Sequence, residues 1–349
     1  MKRILFLLTA ILISANAVFS QETNGERTFG VSYISELQSN THGNVNFLNQ
    51  LRLNAKLQLA KRFAIEGQTI SFAKSRENSI AKNEQGFSNI EADNIALTLA
   101  VLDLEWKINE FNTLEFGIRN MNDDYFISEV TSLFTNSSCG VYPTIANNYP
   151  IANYPETSLG MHYAFKKDNY ELQASIYNGV ASYKFIGRNN MFRFCPESDG
   201  IFALTQGEYR NKGSRYFAGI AIHHGELSAL DSDILASTIR ESDTKTTLWA
   251  YAEQRITDRT NIIAGYSHAF HSSNFCTDFV CLGFSCKSSK WELGLFADLA
   301  RMSSLTECAI ELTAKYTISD KLYLQPAIHL IHQDDYKCAV GLLRFGVEI

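Results

Sequence analysis

Residues 269–275, AFHSSNF, set His271 two positions before Ser273. In a strand the two side chains share a face, the placement a general base and its nucleophile require. Ser272 and Asn274 complete the tetrad. His223 and His224 offer a metal-binding pair, but neighbouring strand residues point to opposite faces. Seven cysteines stand at 139, 195, 276, 281, 286, 308 and 338. Their number is odd, and the C-x4-C-x4-C run from Cys276 to Cys286 is not a zinc spacing. Strand alternation would turn Cys276 away from Cys281 and Cys281 away from Cys286, so free thiols are expected. No glycine-rich phosphate loop and no CxxC pair is present. These residues lead to the expectation of no metal, no cofactor and no catalytic group. A different pattern lies at 138–165, SCGVYPTIANNYPIANYPETSLGMHYAF. The chain has five prolines, and three of them, Pro143, Pro150 and Pro155, follow a tyrosine here.

The 349 residues are enough for one large or two ordinary domains. The start, MKRILFLLTAILISANAVFSQ, has two cations, an apolar run from Ile4 to Ile13, and small residues after it. That is the pattern of an export leader, too short to cross a bilayer. Cleavage is expected after Ser20, with Ala17 as the alternative, leaving residues 21–349 as one domain. Without Lys2 and Arg3 the remainder carries 29 basic and 37 acidic residues, a net charge of −8. Nucleic acid requires a basic footprint and is excluded as a partner. No later stretch holds about 18 apolar residues in a row, the minimum for a spanning helix. Aromatic residues are 12% of the chain. An exported, aromatic chain of this kind fits a soluble all-β protein, or a membrane barrel whose strands hide their apolar half by alternation.

Period two dominates the chain beyond the leader. In NTLEFGIR, 112–119, Leu114, Phe116 and Ile118 take one face, and Thr113, Glu115, Gly117 and Arg119 the other. The C-terminal LRFGVEI alternates in the same way. Sixteen such segments run from 28–38 to 337–349. In one of them, 92–108, the phase slips near Val101 and Leu102, as a bulge would make it. The connections after even-numbered segments are tight, such as NKG at 211–213 and SS at 288–289. Several after odd-numbered segments are long: 75–91, 120–157, 179–199 and 224–244. Short turns at one end and long loops at the other are how an outer-membrane barrel is built. The expected fold is an all-β, transmembrane antiparallel barrel of sixteen strands. Inside its longest loop, 123–134 (DDYFISEVTSLF) has helical spacing behind aspartate caps, which predicts a short helix.

Four stretches resemble the carbohydrate-selective porins of the OprB family. They are GFSNIEADN (86–94), EFGIRNMNDDYFISEVTSLFTNSSCG (115–140), NNYPIANYPETSLGMHYAF (147–165) and SIYNG (175–179). The resemblance is densest over 86–180. It implies passive diffusion of sugars through the outer membrane of a bacterium. It also implies that the loop between strands five and six, 120–157, folds inward and narrows the lumen. The partners it implies are small sugars or oligosaccharides and outer-membrane lipid, with a homo-oligomer left open.

Placed in the pore, the tyrosine–proline loop acquires a role. Proline fixes φ and holds the preceding residue extended, so three such pairs stiffen the return path to strand six. Tyr142, Tyr149 and Tyr154 then either present flat faces to sugars or pin the loop to the inner wall. Arg119, Asp123, Asp124, Glu129 and Glu156 join them as candidates for the constriction. Arg119 leads that group, because its planar fork stands where strand five enters the loop. On the polar face of strands four to seven, Asp103, Glu105, Glu115, His162, Lys166, Glu171 and Gln173 are expected on the lumen wall. Two readings compete. A structural or adhesive barrel with a plugged lumen would use the long loops for binding outside the cell. The His-x-Ser-Asn at 271–274 resembles that of outer-membrane phospholipase. Phe275-Cys276 replaces the Gly-Arg that should follow it, which leaves a lipid hydrolase as the weakest reading.

Overall fold

The computed structural model describes residues 27–225, 243–271 and 273–349. The expected leader, 1–20, together with Ser272 and most of 224–244, lies outside the described residues. The strands are β1 (Arg27–Asn40), β2 (Val45–Ala60), β3 (Phe63–Lys74), β4 (Ile95–Lys107), β5 (Asn112–Arg119), β6 (Ser158–Lys167), β7 (Tyr170–Asn178) and β8 (Ile201–Asn211). They continue as β9 (Ser214–Gly225), β10 (Asp243–Thr257), β11 (Thr260–Ala269), β12 (Cys276–Ser288), β13 (Trp291–Met302), β14 (Thr306–Ser319), β15 (Leu322–Gln333) and β16 (Tyr336–Glu348). Each pairs antiparallel with its neighbours, and β1 pairs with β16 to close a sixteen-stranded barrel. Closure leaves no unpaired edge, the condition for a sheet in hydrocarbon. The two-residue period behaves as the sequence predicts. Phe116, Leu172, Leu282, Leu312 and Leu330 point out and are exposed, forming the lipid-facing band. Ring pairs Phe63–Trp106, Trp291–Tyr316 and Tyr170–Tyr209 stand beside the tight turns, where an aromatic girdle belongs.

The bulge in β4 is at Ala100. Gln68 pairs with Val101 and Thr69 with Leu99, so Ala100 is extra and both Ala100 and Val101 are buried. That bulge receives the longest loop. β5 has only eight residues and stops at Arg119. At the next residue the Asn120 side-chain amide donates to the Ala100 carbonyl at 3.0 Å, and the chain turns into the lumen. Residues 123–134 are not the helix their spacing suggests. Phe126 sits at φ 60°, a left-handed position that interrupts any helix. Its apolar residues serve different walls: Phe126 packs on Trp249 and Tyr251, Phe134 on Phe296. A 3-10 turn at Thr131–Leu133 and one α-turn at Pro143–Ala146 are the loop's helical elements, along with a second 3-10 turn at Ser137–Cys139.

A second loop also folds inward. The long loop expected at 75–91, which the adhesive reading would use outside the cell, has Ile80, Ala81 and Phe87 buried against Ile331, Cys338 and Val340 on β15 and β16. The two loops then bond to each other. Asn89 N–H donates to Thr135 O at 2.7 Å, and Ser137 N–H to Gly86 O at 2.8 Å. Gly86 has φ +73°, and a Cβ there would meet Ser137 Oγ at 2.7 Å, so only glycine allows this approach.

The cysteines are all free. Cys276 and Cys281 are both buried rather than on opposite faces, because a register shift between Cys276 and Asp278 changes the phase.

Candidate functional site

The loop 120–157 does not hang in an open lumen. One half of the barrel interior is filled. Tyr125, Phe126, Tyr142, Ile145 and Tyr149 form a buried cluster with Phe202, Phe217, Trp249, Tyr251, Phe279 and Phe296 from the inward faces of β8 to β13. An inward face of aromatic rings would be a poor wall for water, and here it is a docking surface for the loop. Polar clips surround the cluster. The Tyr149 hydroxyl is 2.8 Å from Thr247 Oγ1, and Thr144 Oγ1 is 2.6 Å from Ser267 Oγ. The Asn148 amide donates to Cys276 O at 2.7 Å and accepts from Cys276 N–H at 2.8 Å.

Buried carboxylates on β13 and β14 fasten both loops to the wall beside this cluster. Glu311 accepts the backbone N–H groups of Thr135 at 2.9 Å and Asn136 at 3.0 Å. Glu307 accepts those of Glu84 at 2.7 Å and Gln85 at 3.1 Å. Asp298 accepts the Asn136 amide at 2.8 Å. Carboxylates that cap several backbone donors are well satisfied without a cation. These anchors lie on β13 and β14, in the inward phase of strands far from the four-to-seven set where lumen charges were expected.

The other half is open. A cavity of about 980 Å³ lies between the two inward loops and the wall of β1, β2 and β16. β2 contributes Gln50, Arg52 and Asn54; the loops contribute Asn89, Asn122 and Asn153. Toward the short-turn end it reaches Gly30 and Glu348. A second cavity of about 420 Å³ lies toward the long-loop end, beside Lys74 and Ile95. The two cavities share Glu91, Ala146, Asn153 and Tyr154 in their linings. None of the β2 or 75–94 residues was expected at the site. Their signal was present in β2, where Gln50, Arg52 and Asn54 alternate with Leu51 and Leu53.

The expected site residues divide by place. Tyr154 lines both cavities. Its hydroxyl donates to Asp123 at 2.6 Å and lies 3.0 Å from the Gln68 side-chain amide, and the Arg52 guanidinium lies 4.7 Å from its ring centre. Asp123 is thus an orienting group for Tyr154 and lies 3.9 Å from Arg52. Glu156 lines the smaller cavity, and Tyr149, whose ring stacks on His223, borders it. Tyr142 is buried in the apolar cluster, with its hydroxyl facing Cys281 Sγ at 3.8 Å, and braces the loop. Glu129 is exposed near the turn at 211–213, at the short-turn end.

Arg119 needs a correction. Its fork is not free for sugar. The side chain is 6% exposed, and it pairs with Asp103, with Glu115 at 2.7 Å and with Asp124 at 2.9 Å. Five donors in a fixed fork suit several carboxylates at once. The lumen-wall residues do sit on the inward phase, but none of them lines the 980 Å³ cavity. Asp103 and Glu115 belong to the Arg119 network. Glu105 pairs with Lys56 at 2.6 Å, and Glu171 with Arg210 at 2.5 Å. His162 Nδ1 is 2.7 Å from Ser175 Oγ. Lys166 is 62% exposed, 3.5 Å from Glu171, and Gln173 faces Gln206 across the ladder. Glu115, Asp124 and His162 present ligand atoms within 4.8 Å of one another. Arg119 already occupies the space between the carboxylates and neutralises them.

Two further motifs have definite places. His223 points inward to the Gly179 carbonyl at 2.9 Å, while His224 meets Thr244 outside, so the pair diverges. His271 Nδ1 is 2.9 Å from Ser273 Oγ, and Nε2 is 2.8 Å from Asp243. The Ser273 backbone N–H also donates to Nδ1 at 3.2 Å, so the lone pair that would take the hydroxyl proton is already engaged.

Tyr154 and Tyr142 should respond differently to replacement by alanine. Tyr154→Ala should weaken sugar-induced block of ion current about three- to tenfold, the effect of losing roughly 0.5–1.5 kcal/mol of ring contact. Tyr142→Ala should disturb ions and sugars alike, because it loosens the loop. Current recordings with a sugar titration check both, and the reverse pattern would exchange the two roles.

The comparisons with known proteins accord with this geometry. The family profile described as carbohydrate-selective porin, OprB family, matches residues 9–337. No curated protein matches the chain in sequence. Among solved structures, the high-pH structure of Pseudomonas putida OprB superposes with a TM-score of 0.79 at 13% identity, covering 93% of this chain and 94% of that one. The trimer form of OmpT, an outer-membrane protein of Vibrio cholerae, gives 0.61 at 12% identity, covering 94% and 100%. The anion-selective porin from Comamonas acidovorans gives 0.60 at 9% identity, covering 93% and 100%. At these identities the likeness is one of fold.

Proposed function

Since the chain belongs to the OprB family of carbohydrate-selective porins, outer-membrane channels for sugar diffusion, we propose that its solutes cross by the side passage against β1, β2 and β16. The observation that carries this is that the two cavities share Glu91, Asn153 and Tyr154 in their linings. The filled half against β8 to β13 is not available to them. The passage suits sugars chemically. Side-chain amides at Gln50, Asn54, Asn89, Asn122 and Asn153 each offer donors and an acceptor, and sugar hydroxyls need both. Hydration lost at the narrowing is replaced by these groups and by the ring of Tyr154. Of the two arginines lining the larger cavity, Arg52 is the more accessible, since Arg344 is held by Glu36 and by Asn89 at 2.6 Å. Arg119 acts one step back: it holds Asp124 and so fixes the loop entry that presents Asn122 and Asp123.

Residues 1–20 serve export in this reading, and 21–349 form the channel with 120–157 as its constriction. Assembly of several copies also belongs to it, by likeness to the OmpT trimer form. Liposome swelling tests the function. Vesicles carrying the protein should admit monosaccharides faster than oligosaccharides, and sugars at least as fast as amino acids of equal size. Vesicles that swell no faster than protein-free controls in any sugar would refute it.

A further inference from the structure

We propose that the vestibule at the long-loop end selects for sugars carrying a positive charge, with Glu91 and Glu156 as its specificity-determining residues. The inference rests on the channel reading above and names the solute class it favours.

The vestibule is the 420 Å³ cavity. Every solute on the side passage crosses it, because Glu91, Asn153 and Tyr154 border both this cavity and the larger one. Two kinds of surface meet there. Tyr149, Tyr154, Pro155 and Tyr183 give flat apolar faces. Lys74, Glu91, Asp93 and Glu156 give the charges. Lys74 is engaged by Asp93 at 3.1 Å, which cancels that pair. Glu91 receives only the Ser79 hydroxyl, at 3.2 Å. The Glu156 carboxylate has neither an ion pair nor a hydrogen bond among the described residues. Two carboxylates therefore face the vestibule without an ion-pair partner among the described residues, and Lys74, already paired with Asp93, acts on Glu91 only from a distance. Arg52 is turned to Asp123 and the Tyr154 ring.

Two uncompensated negative charges in a partly enclosed, ring-walled space raise the local concentration of cations and lower that of anions. A sugar bearing a free ammonium group gains charge-assisted hydrogen bonds to a carboxylate while its C–H face lies on a tyrosine. A neutral sugar gains only the second contact, and an acidic sugar is repelled. Burial raises Glu91 above the ordinary carboxylate range and Glu156 to about 7. Lys74, Glu91, Asp93 and the three tyrosines line the same cavity as Glu156, and burial is what raises it. Both residues keep a proton to higher pH than usual, and the share of the negative field that Glu156 supplies fades as pH falls through about 7.

The test is uptake into proteoliposomes of glucose, glucosamine and glucuronate at equal concentration, at pH 7.5 and pH 5.5. At pH 7.5 the order should be glucosamine, glucose, glucuronate, with several-fold steps. At pH 5.5 the steps should shrink, although the sugar amine is then at least as fully charged. The Glu91→Gln, Glu156→Gln double variant should show small steps at both pH values. Equal rates for the three solutes at pH 7.5, or steps that survive in the double variant, would overturn this inference. No uptake of glucose by the unmodified protein would instead overturn the channel reading.

Discussion

Arg119→Met should destabilise the barrel by about 3–5 kcal/mol, the cost of leaving buried charges without their partner. Asp103, Glu115 and Asp124 converge on this one guanidinium, which is almost wholly buried. Without it three carboxylates would face one another out of water. They would have to take up protons or pull the loop away from β4 and β5. Because Asn120 leads straight from this network into the lumen, the channel should also become noisy. Arg119→Lys should fall between, since an ammonium keeps the charge but not the bidentate hold on Asp124. Adding Asp103→Asn and Glu115→Gln to Arg119→Met should restore much of the loss. Thermal melting followed by circular dichroism measures all three. An Arg119→Met protein with unaltered melting, and with sugar block alone reduced, would show instead that the guanidinium serves the solute.

Replacing residues 141–155 by a short glycine–serine linker should leave a closed barrel and raise conductance several-fold. The loop contributes no strand to the ladder, and the ladder supplies the backbone hydrogen bonds that the membrane demands. What the loop does contribute is Tyr142, Ile145, Tyr149 and Ile151 to the cluster on the β8–β13 wall. Removing them exposes Phe202, Trp249, Tyr251 and Phe279 to water. The variant should therefore melt at a lower temperature while conducting more. Conductance equal to that of the unmodified protein would mean that the loop does not limit the path.

The barrel was legible because lipid imposes a strict rule. Every second residue of Leu114–Ile118 or Leu343–Ile349 must be apolar, and tight turns such as 211–213 must close one end. The site was legible only in part, for three physical reasons. Alternation tells inside from outside, but it does not tell an inner face wetted by a pore from one covered by a loop. Phe279 to Phe284, FVCLGF, is apolar on both faces because lipid covers one and Tyr142 the other. Such doubly apolar strands were the available sign of a filled half. Spacing in a loop also answers to packing rather than to helical period, which is why 123–134 misled. Finally, a charge on the inward face can serve structure. Arg119 was rightly placed at the loop entry, but the three carboxylates that saturate it come from β4, β5 and the loop, and only the fold brings them together. Tyr154 was singled out by the proline pattern and Glu156 as a charge of the same loop, and both line a cavity. Arg52, Asn89 and Glu91 did not, because 75–94 reads as an ordinary long loop until its docking on β15 and β16 is seen.

The central claim is that solutes pass between β2 and the inward loops, narrowing at Asn153 and Tyr154. Single-channel conductance of Asn153→Trp tests it most directly. Asn153 borders both cavities, and an indole there would fill the shared neck. Conductance should fall several-fold, with melting near that of the unmodified protein. Unchanged conductance in a correctly folded Asn153→Trp barrel would place the path elsewhere and contradict the account.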